Sequence, residues 1–275
     1  SGGIDSSLIT HYALEKNRKI KIFSGFSKKI EKISFKVIPK LIKNFKTKKL
    51  FKVNHSYKDY LNDLKKLLIF SYSPSRWGGG VPMSKICKSA KYKKVSVLLG
   101  GDGVDEISGG YHTINNILNK QDFKNFHSII SLDKKNIFYK NKNNIDFKNY
   151  LEKEKKYILT KLKKIKDKSE KFKQLAFLLD TSFFLQTCTL PHSDEYSMFR
   201  SVELRNPYLD LKLVKFVINL KSDLKIQKVK KNFNNKFIFK ELAKKIFGKF
   251  IDQPKEGTRN FSKMISNKKF WNLGN

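Results

Sequence analysis

The chain has 275 residues, of which 39% are hydrophobic and 13% aromatic, enough to bury one good core or two small ones, so its high charge does not imply disorder. The net charge of +35 attracts polyanions, yet only Arg18, Arg76, Arg200, Arg205 and Arg259 are arginines, and the lysines are spread through every segment. A groove that reads bases with forked guanidinium groups is therefore not expected. No apolar run has membrane-spanning length, no basic and then apolar leader opens the chain, and Cys87 and Cys188 lack metal-ligand spacing. These absences point to a cytoplasmic protein with core thiols and no membrane segment, zinc site or disulfide framework.

The first residues, Ser1–Ser7, read SGGIDSS and open onto an apolar stretch, Ile4–Leu14, with a helical pattern. Small residues at a helix N-terminus leave backbone N–H groups free, and with the helix dipole these favour a polyphosphate. A loop of this kind needs a preceding strand, and the chain begins on Ser1 rather than Met, so further sequence is expected upstream. Lys19–Phe23 alternates as a strand, Ile30–Phe45 has a helical pattern, Leu50–Val53 is a second strand, and Tyr57–Phe70 carries leucines at helical spacing. Alternation of this sort predicts a parallel sheet flanked by helices, with ligands beyond the carboxyl ends of the strands.

A third strand, expected over Val95–Leu99, runs into GGDGVDEISGGY, Gly100–Tyr111, whose turn carries Asp102, Asp105 and Glu106. Three carboxylates in a glycine-rich turn suit a metal ion and a proton acceptor. The two motifs together indicate ATP cleavage, with the glycine pair and the acidic bend expected to face one crevice. Beyond Tyr111 the strand signal fades. Tyr150–Lys168 reads as a solvated helix, Lys173–Leu190 as a buried one, and Asp210–Leu220 and Lys236–Phe247 as amphipathic helices. The expected division is an ATP-binding α/β core over 1–125 and a mainly helical extension over 126–275 that completes the site.

SGGIDS resembles the PP-loop of ATP pyrophosphatases. In order along the chain, GGDGVDEISGGY, DEYSMFRSVELRNPYLDLKLVKFVINL from Asp194, NKFIFKELAKK from Asn235 and QPKEGTRNF from Gln253 are similar to the synthetase domain of glutamine-hydrolysing asparagine synthetases. The resemblance implies a PP-loop fold of the adenine-nucleotide α-hydrolase kind and a two-step, AMP-forming reaction. In it aspartate's carboxylate attacks ATP to give β-aspartyl-AMP and pyrophosphate, and ammonia then displaces AMP. It implies ATP and Mg²⁺, ammonia drawn from glutamine by an upstream glutaminase domain or a partner subunit, and a homodimer as a candidate assembly.

On the same resemblance, Ser1, Gly2, Gly3 and Ser6 hold the phosphates, Gly100 and Gly101 let the backbone approach adenine, and Asp5 and Asp105 match metal-binding aspartates. Asp5 could equally cap its helix. Asp102 stands where the family often has glutamate, the acceptor of ammonia's proton, and is one methylene shorter. Glu106 orients substrate or belongs to a solvated turn. Lys236 matches a phosphate-contacting lysine, with Lys240 and Lys255 as weaker candidates. Glu203, Arg205 and Asp210 build a pocket wall or form an internal ion pair, and Arg200 and Arg259 stand in the same blocks. His112 and His192 adjoin motifs and touch substrate or are merely packed. Ser73–Pro82 reads SPSRWGGGVP where the family often carries an acidic stretch. A related amide synthetase for another carboxylate, such as a sugar uronic acid or one cyclised to a lactam, is therefore an alternative. A non-catalytic polyanion binder is the other.

Overall fold

Ile22–Phe26 and Leu50–Asn54 pair in parallel, Ile22 opposite Leu50 and Phe26 opposite Asn54. The computed structural model describes residues 2–26, 49–54, 57–71, 80–120, 144–229 and 232–248, with Ile38 and Lys43. The helix expected over Ile30–Phe45 lies outside the described residues apart from Ile38 and Lys43, both helical. In chain order the elements are α1 (Ile4–Lys16), β1 (Ile22–Phe26), β2 (Leu50–Asn54), α2 (Tyr57–Ser71), α3 (Gly80–Tyr92), β3 (Val97–Leu99), α4 (Val104–Ser108), α5 (His112–Lys120) and α6 (Asn144–Lys161). There follow α7 (Lys168–Leu179), a π-helix (Asp180–Thr189), α8 (Leu190–Met198), β4 (Glu203–Arg205), a 3-10 turn (Pro207–Leu209), α9 (Leu211–Ile218), α10 (Ser222–Lys225), β5 (Ile226–Val229), β6 (Asn232–Asn235) and α11 (Phe237–Phe247). The chain is thus mostly helical with small parallel sheets, and no described helix is long and apolar enough to cross a membrane.

These elements divide into two compact units, one of Ser1–Gly101, Leu190–Pro207 and Phe239–Asn275, the other of Asp102–Thr189 and Tyr208–Ile238. In the first, α3 packs on β1, β2, α2 and α8. Val81, Cys87 and Ala90 of α3 are buried there, as are Leu8 and Leu14 of α1 and Tyr196 of α8, each large apolar side chain contributing about 1.5–3 kcal/mol. Arg200 fastens this layer with its fork: Nε donates to Ser84 Oγ at 2.9 Å and Nη2 to Asp63 Oδ1 at 2.9 Å. A point-charge lysine could not make both bonds in that geometry.

β3 pairs in parallel with β4, Val97 opposite Glu203 and Leu99 opposite Arg205, and the Gly100 N–H extends the ladder to the Arg205 carbonyl at 2.8 Å. Where sequence pattern predicts one parallel sheet and a helical second half, the described residues form two two-stranded parallel ladders and one antiparallel hairpin. Strands of three or four residues, such as ELR, IQKV and NFNN, are too short or too polar to display a period of two, and so escape pattern reading.

The second unit is built on α5, α6 and α7, whose Ile114, Ile117, Leu151, Ile158, Leu175, Phe177 and Leu179 form one cluster with Ile226. The solvated helix expected over Tyr150–Lys168 runs instead from Asn144 to Lys161, and the next begins at Lys168 because Asp167 Oδ1 accepts from the Glu170 N–H at 2.6 Å. The buried helix expected over Lys173–Leu190 is real but changes pitch at Asp180. There the Thr181 and Thr187 hydroxyls donate to the Phe177 and Phe183 carbonyls at 2.9 and 2.8 Å, competing for acceptors that an α-helical ladder would use.

Candidate active site

In the first unit α1 opens at Gly3, its N-cap, with no side-chain capping bond, and Asp5 lies in the first turn. Asp5 thus stands inside the first turn rather than at the N-cap position. Gly2 has φ +83°, a left-handed conformation suited to a residue without Cβ. Ser6 Oγ donates to the Gly3 carbonyl at 3.3 Å.

The two glycines that follow β3 belong to the same unit, and Gly101 lies on this turn: a Cβ there would stand 3.1 Å from Asp5 Cβ and 3.2 Å from the Ser6 nitrogen. The structure therefore brings Gly101 to the start of α1, while Gly100 lies against Asn206 and Leu204. Ser1 lies outside the described residues, as do Lys255, Arg259 and Ser73–Gly79.

In the second unit Asp102 is half-buried in the turn before α4. Asp105, in the first turn of α4, forms an ion pair with Lys236: Nζ lies 2.8 Å from Oδ1, with the two side chains 6% and 15% exposed. Lys236 does not begin a helix, as its pattern suggests. It occupies the turn between β6 and α11 with φ +53°, and α11 starts one residue later. Lys240 stands half-buried on α11.

Glu106 corrects the reading of a solvated turn, since it is 1% exposed. Its Oε1 accepts from Thr189 Oγ1 at 2.6 Å and Tyr111 OH at 2.8 Å, and its carbonyl accepts from Thr181 Oγ1 at 3.2 Å. Burial raises its carboxyl above the ordinary range, the Thr189 and Tyr111 bonds oppose that rise, and Asp105 adds to it. Asp180 is fully buried and has no hydrogen-bond partner for either oxygen among the described residues. Burial first, then the nearby charges of Glu106 and Asp105, drive its carboxyl well above the usual value. Asp180 is visible in the sequence as a lone acid inside an apolar run, a combination that marks a buried carboxylate.

Other candidates have partners within their own segments. Arg205 Nε donates to Glu203 Oε1 at 2.8 Å, forming the internal pair on exposed β4. Asp210 caps α9 by accepting from the Lys212 and Leu213 N–H groups at 2.9 and 3.2 Å. His192 stacks 6.0 Å from the Tyr196 ring. Cys87 is buried and its thiol is pushed up to about 12 by desolvation, while Cys188 is pushed up to about 11; both stay protonated near neutrality, as core thiols do.

Among the described residues no group of three or more His, Cys, Asp or Glu side chains gathers as a metal cluster. The donor chemistry nevertheless fits Mg²⁺, which takes one or two carboxylates and completes its shell with water and substrate phosphates. Asp5 and Asp105 are each a carboxylate of that kind.

The family model described as asparagine synthase matches residues 1–268, and the chain belongs to that family. Among individual proteins, the glutamine-hydrolysing asparagine synthetase 1 of Bacillus subtilis (strain 168) is 32% identical over 130 residues, which are 45% of this chain and 19% of that protein. The similarity thus spans less than a fifth of the relative's length.

Proposed function

We propose that the chain carries the synthetase activity of an asparagine synthase. An aspartate carboxylate oxygen bonds to the α-phosphorus of ATP as the bond from that phosphorus to the departing pyrophosphate breaks. Ammonia then bonds to the acyl carbon, the bond to AMP breaks, and one ammonia proton must be accepted. Membership of the family over nearly the whole chain supports this reading. The Lys236–Asp105 pair is the observation that carries it, because it sets an ammonium, a group that can meet phosphate charge, beside the acidic turn.

In this reading Gly2, Gly3 and Ser6, with Ser1, donate to phosphate oxygens through N–H groups at the start of α1. Gly100 and Gly101 leave room for adenine. Lys236 offsets the charge that grows on the leaving pyrophosphate, and Asp102 accepts the proton from ammonia. Glu106, held by Thr189 and Tyr111, keeps α4 in place and so orients Asp105. Mg²⁺, held by Asp5 and Asp105 when bound with ATP, supplies further charge neutralisation. Ammonia comes from glutamine through an upstream domain or a partner subunit, the setting is cytoplasmic, and a homodimer is the assembly.

The test is pyrophosphate release by the purified protein across a panel of carboxylates, with ammonia as nitrogen donor. Release that requires ATP, Mg²⁺ and aspartate, with asparagine as product, is expected. Release with another carboxylate alone would reassign the substrate, and salt-sensitive polyanion binding without turnover would remove the enzyme reading.

A further inference from the structure

Asn235, the last residue of β6, is 9% exposed, and its amide is spent wholly on the segment that follows the acidic helix. Nδ2 donates to the Gly109 carbonyl at 2.6 Å, to Asn115 Oδ1 at 2.9 Å and to the Tyr111 carbonyl at 3.3 Å. That segment is itself bonded to Asp105: Gly109, in the left-handed conformation with φ +66°, ends α4, and the Gly110 N–H donates to the Asp105 carbonyl at 2.7 Å. The next residue after Asn235 is Lys236, whose Nζ meets the Asp105 side chain.

Lys236 pays for this place with a positive φ of 53°. Such a conformation is uncommon for a residue with a long side chain and persists only where its surroundings over-determine it. The surroundings here include the Asn235 amide, which ties down the preceding residue, and the Asp105 carboxylate, which meets the ammonium.

We propose that Asn235 is a positioning residue for Lys236: its amide bolts the end of β6 to the Gly109–Tyr111 turn and so sets the lysine ammonium on Asp105. Only an amide serves, because the three acceptors are all oxygens. Aspartate has the same shape and no donor when ionised, and would set a carboxylate against two carbonyls and an amide oxygen. Alanine would leave the carbonyls without this donor, and the positive φ of Lys236 would lose a restraint. The kinetic part of the inference rests on the synthetase reading; the positional part does not.

The experiment compares wild type with Asn235→Ala, Asn235→Asp, Lys236→Met and Asn235→Ala/Lys236→Met by two measurements. The first is the rate at which an amine-acylating reagent labels Lys236, mapped by peptide mass spectrometry at a temperature where circular dichroism shows each variant folded. The second is kcat and KM for pyrophosphate release. Both Asn235 variants are expected to label Lys236 severalfold faster. They are expected to lose about 100-fold in kcat, the scale of a displacement of order 1 Å, with the KM for the carboxylate nearly unchanged. The double variant is expected to be no slower than Lys236→Met alone. Labelling and kcat equal to wild type in Asn235→Ala overturn the proposal, as does a double variant whose losses multiply. Faster labelling in a protein that turns over no ATP would leave the proposal standing and sink the synthetase reading instead.

Discussion

Lys225 is the residue whose energetics are most exposed to test. It is fully buried, its Nζ donates to Gln174 Oε1 and the Ile218 carbonyl, both at 2.9 Å, and it stands 5.1 Å from the Phe177 ring centre. Desolvation lowers its pKa from 10.5 to about 8, and the attraction of Glu170 offsets part of that fall. Below pH 8 the lysine holds its proton in both folded and unfolded chains. Between about 8 and 10 the unfolded chain keeps a proton that the folded chain has released, so this group makes folding more favourable as pH rises. The stability of wild type relative to Lys225→Met, from denaturant midpoints, is therefore expected to grow from pH 8 to pH 10. A difference that stays flat or shrinks would show that the lysine is not desolvated. Using the variant as reference cancels the titration of the many surface lysines.

At the scale of elements, the decisive features are starts and stops. Asp210, grouped from sequence with Glu203 and Arg205, is the cap of α9. Its replacement by alanine is expected to cost about 1 kcal/mol, the usual value of such a cap, with pyrophosphate release preserved at permissive temperature. A marked loss of activity in a folded Asp210→Ala protein would mean that the residue also serves the site. The glycine turn behaves oppositely: Gly101 lies so close to Asp5 and Ser6 that Gly101→Val must displace the start of α1. That change is expected to raise the KM for ATP more than it lowers stability.

Legibility from sequence follows the same division. The N-terminal loop, the acidic turn and the amphipathic helices were readable because each is contiguous and has a composition or period that physics selects. Lys236 was readable only as one lysine among many, and its turn conformation was not, since β6 is too short and polar to announce itself. Asn235 gave no signal at all in a chain rich in asparagine, because its importance lies in three acceptors drawn from Gly109, Tyr111 and Asn115, more than a hundred residues away. For Glu106 the sequence leaves a substrate-orienting role and a solvated turn both open, because its neighbours in sequence are polar and glycine-rich. Its burial comes from the π-helix, which supplies Thr181 and Thr189.

For the molecule as a whole, the charge of +35 comes from lysines spread through every segment of the chain. Among the described acids of the second unit, Asp105 pairs with Lys236, Glu106 accepts from Thr189 and Tyr111, and burial with the charges of Glu106 and Asp105 raises the Asp180 carboxyl. An excess of surface lysine raises the local concentration of any polyanion, nucleotides included, but it supplies no bond-making group. What supports the proposed activity is membership of the asparagine synthase family, with the ammonium–carboxylate pair that the second unit builds beside it.

The most direct measurement is pyrophosphate release, with ATP, Mg²⁺, aspartate and ammonia, by wild type, Lys236→Met and Asp105→Asn, each checked for an unchanged fold by circular dichroism. Release by wild type is expected, with a fall of about 100-fold or more in Lys236→Met, as befits loss of a charge-stabilising donor, and no detectable release in Asp105→Asn. Wild-type rates in both folded variants would contradict the central assignment.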